Sequence, residues 1–285
     1  MTRYGDDLAV VTVTYSPGDT LDRFLDTLAG ATTRPVRVVL ADNGSTDGVP
    51  EQAAAARDDV EFVPTGGNLG YGGGANRGVA ALDDSIGWIV IANPDLEWGA
   101  GSLDQLLDAA TRWPRGGAFG PLVREPDGEV YPSARLLPSL GRGVGHALFA
   151  KVWPSNPWTR EYRQERTGIT ERTAGWLSGS CLLLRREAFD SVDGFDARYF
   201  MYFEDVDLGD RIAKAGWLNV YVPTAEVVHI GGASTKKASA RMLAAHHSSA
   251  YRYLSDRHRG IAWAPVLLAV RLGLGLRLKL LTRRA

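Results

Sequence analysis

Leu8 to Tyr15 is an almost unbroken run of apolar and β-branched residues, the pattern of a strand buried on both faces. From Thr20 to Ala29 the period changes: Leu21, Phe24, Leu25 and Leu28 share one face of a helix. The alternation continues. Strands are expected over Val36 to Ala41, Val60 to Pro64 and Trp88 to Ala92, and helices over Val49 to Arg57 and Gly74 to Leu82. This β-α-β-α-β-α-β order predicts an α/β fold, a mostly parallel central sheet with helices on both faces. Ligands of such sheets bind beyond the carboxyl ends of the strands. The polar punctuation falls there, at Tyr15-Ser16-Pro17, Asp42-Asn43-Gly44-Ser45 and Asn93-Pro94-Asp95.

The pattern then breaks. From Glu125 to Thr173 prolines, glycines and tryptophans interrupt every period, which predicts a mobile lid with Trp153 and Trp158 exposed on it. Regular structure resumes with a strand over Gly175 to Arg185 and a helix from about Glu204 to Ala215. A short strand at Tyr221 and Val222 and a long helix over Ala238 to Asp256 follow. These boundaries suggest a catalytic domain over 1–235 and a helical extension over 236–285. No internal repeat is visible.

The chain has 285 residues, enough to bury a core without staples, and its 45% hydrophobic and 23% charged residues are those of a globular protein. A net charge of −1 argues against a nucleic-acid binder, and the lone Cys181 excludes a disulfide framework. Asp6 and Asp7 stand where a signal peptide needs basic and then apolar residues, so a cytoplasmic location is expected. Gly260 to Val270 is too short an apolar run to span a bilayer. Leucines and Arg271, Arg277, Lys279, Arg283 and Arg284, with no acid among residues 271–285, suggest a tail lying on the inner face of the membrane. Packing on its own domain, or against a second copy in a homodimer, is the competing expectation.

Four clusters carry candidate chemistry. Asp42 at a strand end can accept the imide N–H of a pyrimidine base, and the same Asp42 to Gly48 composition builds an Asx turn before a helix. Asn93 and Asp95 offer two oxygens to Mg²⁺ or Mn²⁺, although Asn-Pro also begins turns. Glu204 and Asp205 open a helix, where acids suit the dipole, but the flanking Phe200 to Phe203 would desolvate a carboxylate and raise its basicity. His229 in Val227 to Gly232 reads either as a core histidine or as a metal ligand.

In order and spacing these clusters resemble the inverting glycosyltransferase family 2, with its GT-A fold. The strand Val11 to Tyr15, the segment Asn68 to Gly78, Trp176-Leu177-Ser178-Gly179-Ser180, Gly194-Phe195-Asp196 and Phe203-Glu204-Asp205 match it as well. The resemblance implies that Thr14, Tyr15, Asp42, Asn43, Asn76, Asn93 and Asp95 bind the donor nucleotide sugar. It also implies that Asp95, His229 and Asn93 hold the metal. Asp205 is then the general base with Glu204 beside it, Trp176, Ser178 and Gly179 face the acceptor, and the 125–173 lid lies on the acceptor side. Asn93 replaces the first Asp of the family's Asp-x-Asp, as in its rhamnosyltransferase branch. That branch implies dTDP-rhamnose as donor, a polyprenyl-diphosphate-linked N-acetylglucosamine as acceptor, and a role in cell-wall polysaccharide synthesis.

Two rivals have a sequence basis. Gly70-Tyr71-Gly72-Gly73-Gly74-Ala75 satisfies the G-x-G-x-x-A of a dinucleotide-binding turn, with Asp95 at ribose-binding distance, which would make an NAD-dependent oxidoreductase. The loss of charge at Asn93 would suit a catalytically silent nucleotide-sugar-binding module.

Overall fold

The computed structural model describes residues 4–138, 169–231 and 240–282. Its first half follows the hydrophobic pattern: β1 (Asp7–Thr14), α1 (Thr20–Leu28), β2 (Val36–Asp42), α2 (Val49–Ala56), β3 (Val60–Pro64), α3 (Gly70–Val79) and β4 (Ile86–Ala92). Strands β3, β2, β1 and β4 lie side by side and parallel, with Thr14 opposite Asp42 and Thr12 opposite Ala92. Their alternate side chains feed two cores, one on each face of the sheet.

The second half is mixed. After β5 (Leu96–Trp98) and α4 (Ser102–Arg112) come β6 (Gly116–Arg124), β7 (Val130–Tyr131), β8 (Ala134–Arg135), β9 (Arg172–Ala174), β10 (Trp176–Leu177) and β11 (Cys181–Arg185). Then follow α5 (Arg186–Asp190), α6 (Glu204–Lys214), β12 (Leu218–His229), α7 (Ala240–Arg257) and α8 (Ala264–Thr282). The sheet order is β3-β2-β1-β4-β11-β6-β12-β5, with β11 antiparallel to β4 and β6, and β12 parallel to β6.

Several expectations need correction. The single strand expected over Gly175 to Arg185 is two: β10 pairs with β8 in a small separate sheet, and Ser178 to Ser180 turn the chain into β11. The short strand at Tyr221 extends over twelve residues, its register shifted between Val222 and Glu226 around Pro223. Helix α3 begins at Gly70 rather than Gly74, because four glycines hide its period. Short strands occupy both ends of the expected lid, while Trp153 and Trp158 lie outside the described residues.

The tail differs most. Arg271, Arg277 and Lys279 interrupt the apolar run without interrupting the helix, so Ile261–Leu280 forms one helical stretch long and apolar enough, by length and composition, to cross a membrane. The alternating leucines have two destinations. Leu267, Val270, Leu274 and Leu278 are partly covered, and α8 packs along α7. Leu268, Leu272, Leu276 and Leu280, four residues apart, form an exposed stripe.

Candidate active site

The carboxyl ends of β2, β4 and β12 bring three of the four clusters to one edge of the sheet. At the end of β2, Asp42 is buried and its carboxylate accepts from Thr14 Oγ1 at 2.7 Å, from Gly44 N and Ser45 N at 2.9 Å each, and from Ser45 Oγ. Burial alone would raise its pKa, but these hydrogen bonds outweigh it and hold the carboxyl below the usual range. Four donors fill the lone-pair sites of a carboxylate. A base N–H therefore reaches Asp42 only by displacing one of them, and of the four the Thr14 and Ser45 hydroxyls are those that can rotate away. Tyr15, next to this pair, is exposed.

Asn43 and Asn76, assigned to the donor by resemblance, are engaged with the backbone. Asn43 Nδ2 donates to Gly70 O at 2.9 Å, and its Oδ1 accepts from Thr65 Oγ1 at 3.0 Å. Asn76 clamps Phe195 from both sides, donating to its carbonyl at 2.7 Å and accepting its N–H at 2.9 Å. The glycines of α3 serve packing. A Cβ on Gly78 would lie 2.4 Å from Val11 Cγ1, one on Gly74 2.7 Å from Val13 Cγ1, and one on Gly72 2.8 Å from Phe195 Cβ. They let a helix sit close on the sheet and the 195–200 loop, which removes the phosphate-cradling reason for the dinucleotide reading.

At the end of β4, Asn93 and Asp95 meet His229, the last residue of β12, whose backbone lies opposite Leu96 of β5. His229 Nε2 stands 3.1 Å from Asp95 Oδ1 and 3.2 Å from the Asn93 amide. Burial would depress the imidazole's pKa, but the hydrogen bond and charge of Asp95, aided by the charge of Glu125, raise it. One ring nitrogen cannot donate to Asp95 and accept from Asn93 at the same time, so hydrogen bonding alone leaves this trio unsatisfied. With the amide turned to present Oδ1, three electron-pair donors converge. Adjacent ligands of an octahedral Mg²⁺, with bonds of ~2.1 Å, stand ~3.0 Å apart, so the donor set fits such an ion. Among the described residues no group of three or more His, Cys, Asp or Glu side chains is placed to hold a metal. One carboxylate, one imidazole and one amide leave positions for phosphate oxygens.

The third cluster sits at the start of α6. Glu204 is buried, and its Oε2 has no hydrogen-bond partner. Burial, with the charge of Asp205 added, pushes its carboxyl up to about 8. Asp205 is only partly covered, and its carboxylate accepts from Gly179 N at 2.9 Å and Val206 N at 2.8 Å. Burial raises Asp205 too, while these N–H groups and the charge of Arg135 oppose the rise. Glu204 therefore keeps its proton at neutral pH, and the two N–H donors favour the charged form of Asp205.

The Ser178–Ser180 turn joins the clusters. Asn93 N donates to Ser180 O at 2.9 Å, Gly179 N reaches Asp205, and the Tyr71 hydroxyl donates to Gly179 O. Ser178 precedes Gly179, whose N–H reaches Asp205, and its Oγ lies 3.1 Å from Ser180 Oγ. Trp176 does not share its position. It is buried beneath α6, with Nε1 donating to Leu136 O at 3.1 Å. Tyr71 and Arg135 were not singled out from sequence. Tyr71 was legible as the one aromatic in a glycine-rich segment, whereas Arg135 lies in the irregular stretch and gave no signal.

The profile described as "Glycosyl transferase family 2" matches residues 9–193. The chain is similar to the N-acetylglucosaminyl-diphospho-decaprenol L-rhamnosyltransferase of Mycobacterium tuberculosis, at 58% identity over 98% of this chain and 94% of that protein. Among solved structures it resembles the mannosyltransferase PcManGT of Pyrobaculum calidifontis in complex with GDP-Man and Mn²⁺. That likeness has a TM-score of 0.61 at 19% identity, over 98% of this chain and 73% of that one. GalNAc-T7 with UDP, GalNAc and Mn²⁺ is also similar, with a TM-score of 0.58 at 15% identity, over 79% of this chain and 43% of that one. These two likenesses bear on the fold, the GT-A arrangement expected from the sequence.

Proposed function

The chain belongs to glycosyl transferase family 2, and from that premise we propose that it is an inverting, metal-dependent enzyme that moves L-rhamnose from dTDP-rhamnose. The acceptor is a polyprenyl-diphosphate-linked N-acetylglucosamine in the linker between peptidoglycan and arabinogalactan. The name of the mycobacterial relative supports the donor sugar and the lipid-linked acceptor. The observation that carries the chemistry is the 178–180 turn, which ties the Asn93–Asp95–His229 trio to a carboxylate whose neighbour holds the proton.

In this reading the acceptor hydroxyl oxygen bonds to the anomeric carbon while its proton passes to Asp205. The bond from that carbon to the diphosphate oxygen breaks on the opposite face, its electron pair leaving with dTDP, and the configuration inverts. Gly179 N–H keeps the Asp205 carboxylate oriented, and neutral Glu204 spares it a second adjacent charge. Asp95, His229 and Asn93 would hold Mg²⁺ or Mn²⁺, which supplies Lewis-acid neutralisation of the diphosphate. Thr14 and Asp42 lie where the base would bind.

The exposed leucine stripe of α8, flanked only by cations, supports a peripheral position on the inner face of the plasma membrane, where a lipid-linked acceptor is presented. A homodimer through the same stripe would bring those cations together. Ligand binding tests the donor side: dTDP with Mn²⁺ should raise the melting temperature and NAD should not. The reverse pattern overturns the reading.

A further inference from the structure

Tyr202 and Phe203 both stand at φ +66°, a left-handed backbone that bulky side chains keep only when their surroundings hold it. Phe203 immediately precedes Glu204 and is the cap of α6, so its backbone sets where the Asp205 carboxylate points. What holds the pair comes from α7. The His246 ring meets Tyr202 edge-on at 5.3 Å and Phe203 at 5.6 Å, and the Tyr253 ring lies 5.7 Å from Phe203. Ser249 Oγ donates to Met201 O at 2.9 Å. Arg257 pairs with Asp210 on α6 at 2.7 Å. These four residues recur three and four apart and so form one face of α7. Tyr253 is buried against Trp176, Tyr199 and Val206, which anchors that face below the base.

We propose that this face of α7, with His246 at its upper end, is a positioning element for the base: it holds Tyr202 and Phe203 left-handed and thereby aims Asp205. His246 touches no reacting atom in this account. The C-terminal helices thus complete the catalytic centre. The proposal rests on the reading of Asp205 as the base.

His246 keeps an exposed side, so its truncation leaves no closed cavity in the core. His246→Ala in the full-length enzyme should lower kcat on the order of 10-fold, less than the ~10²-fold that a full 1 Å misplacement can cost. Donor KM and melting temperature should hold. His246→Phe, which restores a ring against Tyr202 and Phe203, should recover most of kcat, and Ser249→Ala should lower kcat in the same direction. An unchanged kcat in His246→Ala overturns the proposal. So does a fall in kcat that the Phe variant does not rescue. Measured in parallel, Asp205→Asn separates the two claims: full activity there removes the base itself, whereas an inactive Asp205→Asn beside a normal His246→Ala removes only the positioning role.

Discussion

Glu204 and Asp205 are adjacent carboxyls with unlike surroundings, and the roles proposed for them rest on that difference. Asp205 has two N–H donors and is only partly covered, while Glu204 is buried with its Oε2 unpartnered. Asp205→Asn should reduce turnover by at least the ~10²-fold typical of a lost general base while dTDP binding survives. Near-normal turnover contradicts the assignment. Stability gives a second handle. The Glu204 pKa is raised by folding, so the folded protein keeps a proton that the unfolded chain releases once pH passes the ordinary glutamate range. The native state is therefore penalised progressively from about pH 4 up to about 8, where the folded group itself ionises. Glu204→Gln should melt with wild type at pH 4 and above it at pH 8; equal melting temperatures at both pH values contradict the rise that burial gives the Glu204 carboxyl. Metal removal tests the trio at β4 and β12: chelation should abolish transfer, and Mn²⁺ or Mg²⁺ should restore it. The residue types of these sites were readable from the chain. The bond-by-bond commitments of Asn43, Asn76 and Trp176 were not, because their partners lie 27, 119 and 40 residues away.

Helix α3 illustrates how an element can hide. Its glycines erase the apolar period that marks α1, and their reason appears only when the sheet is beneath them. Gly78→Ala puts a methyl 2.4 Å from Val11 Cγ1, and overpacking of this kind costs about 1–3 kcal/mol. Thermal or urea unfolding should register that loss; an unchanged midpoint contradicts the close approach. The run Gly175 to Arg185 hides the opposite way. Its apolar residues suggest one continuous strand, and the break at Ser178 to Ser180 follows from tertiary contacts to Asp205 and Asn93. Strands β1, β2 and β4, by contrast, were legible because burial on both faces demands an unbroken apolar sequence.

For the molecule as a whole, the parallel half of the sheet and its carboxyl edge followed from the alternation of periods. The mixed half did not, since an antiparallel β11 inserted between β4 and β6 depends on pairings distant in sequence. The tail packs along α7, as the competing expectation had it, and leaves one leucine row exposed. Deleting the helix would uncover α7, so the cleaner test replaces Leu268, Leu272, Leu276 and Leu280 with Gln. That variant should stay folded and lose co-sedimentation with anionic vesicles. If it still pellets, the stripe is not what meets lipid. The central claim is sugar transfer at the carboxyl edge. The most direct measurement incubates the protein with Mn²⁺, dTDP-rhamnose and a polyprenyl-diphosphate-linked N-acetylglucosamine and weighs the lipid product. The account predicts an acceptor heavier by one deoxyhexose, whereas an acceptor of unchanged mass from folded enzyme, with dTDP-rhamnose and with every other nucleotide sugar supplied, contradicts it.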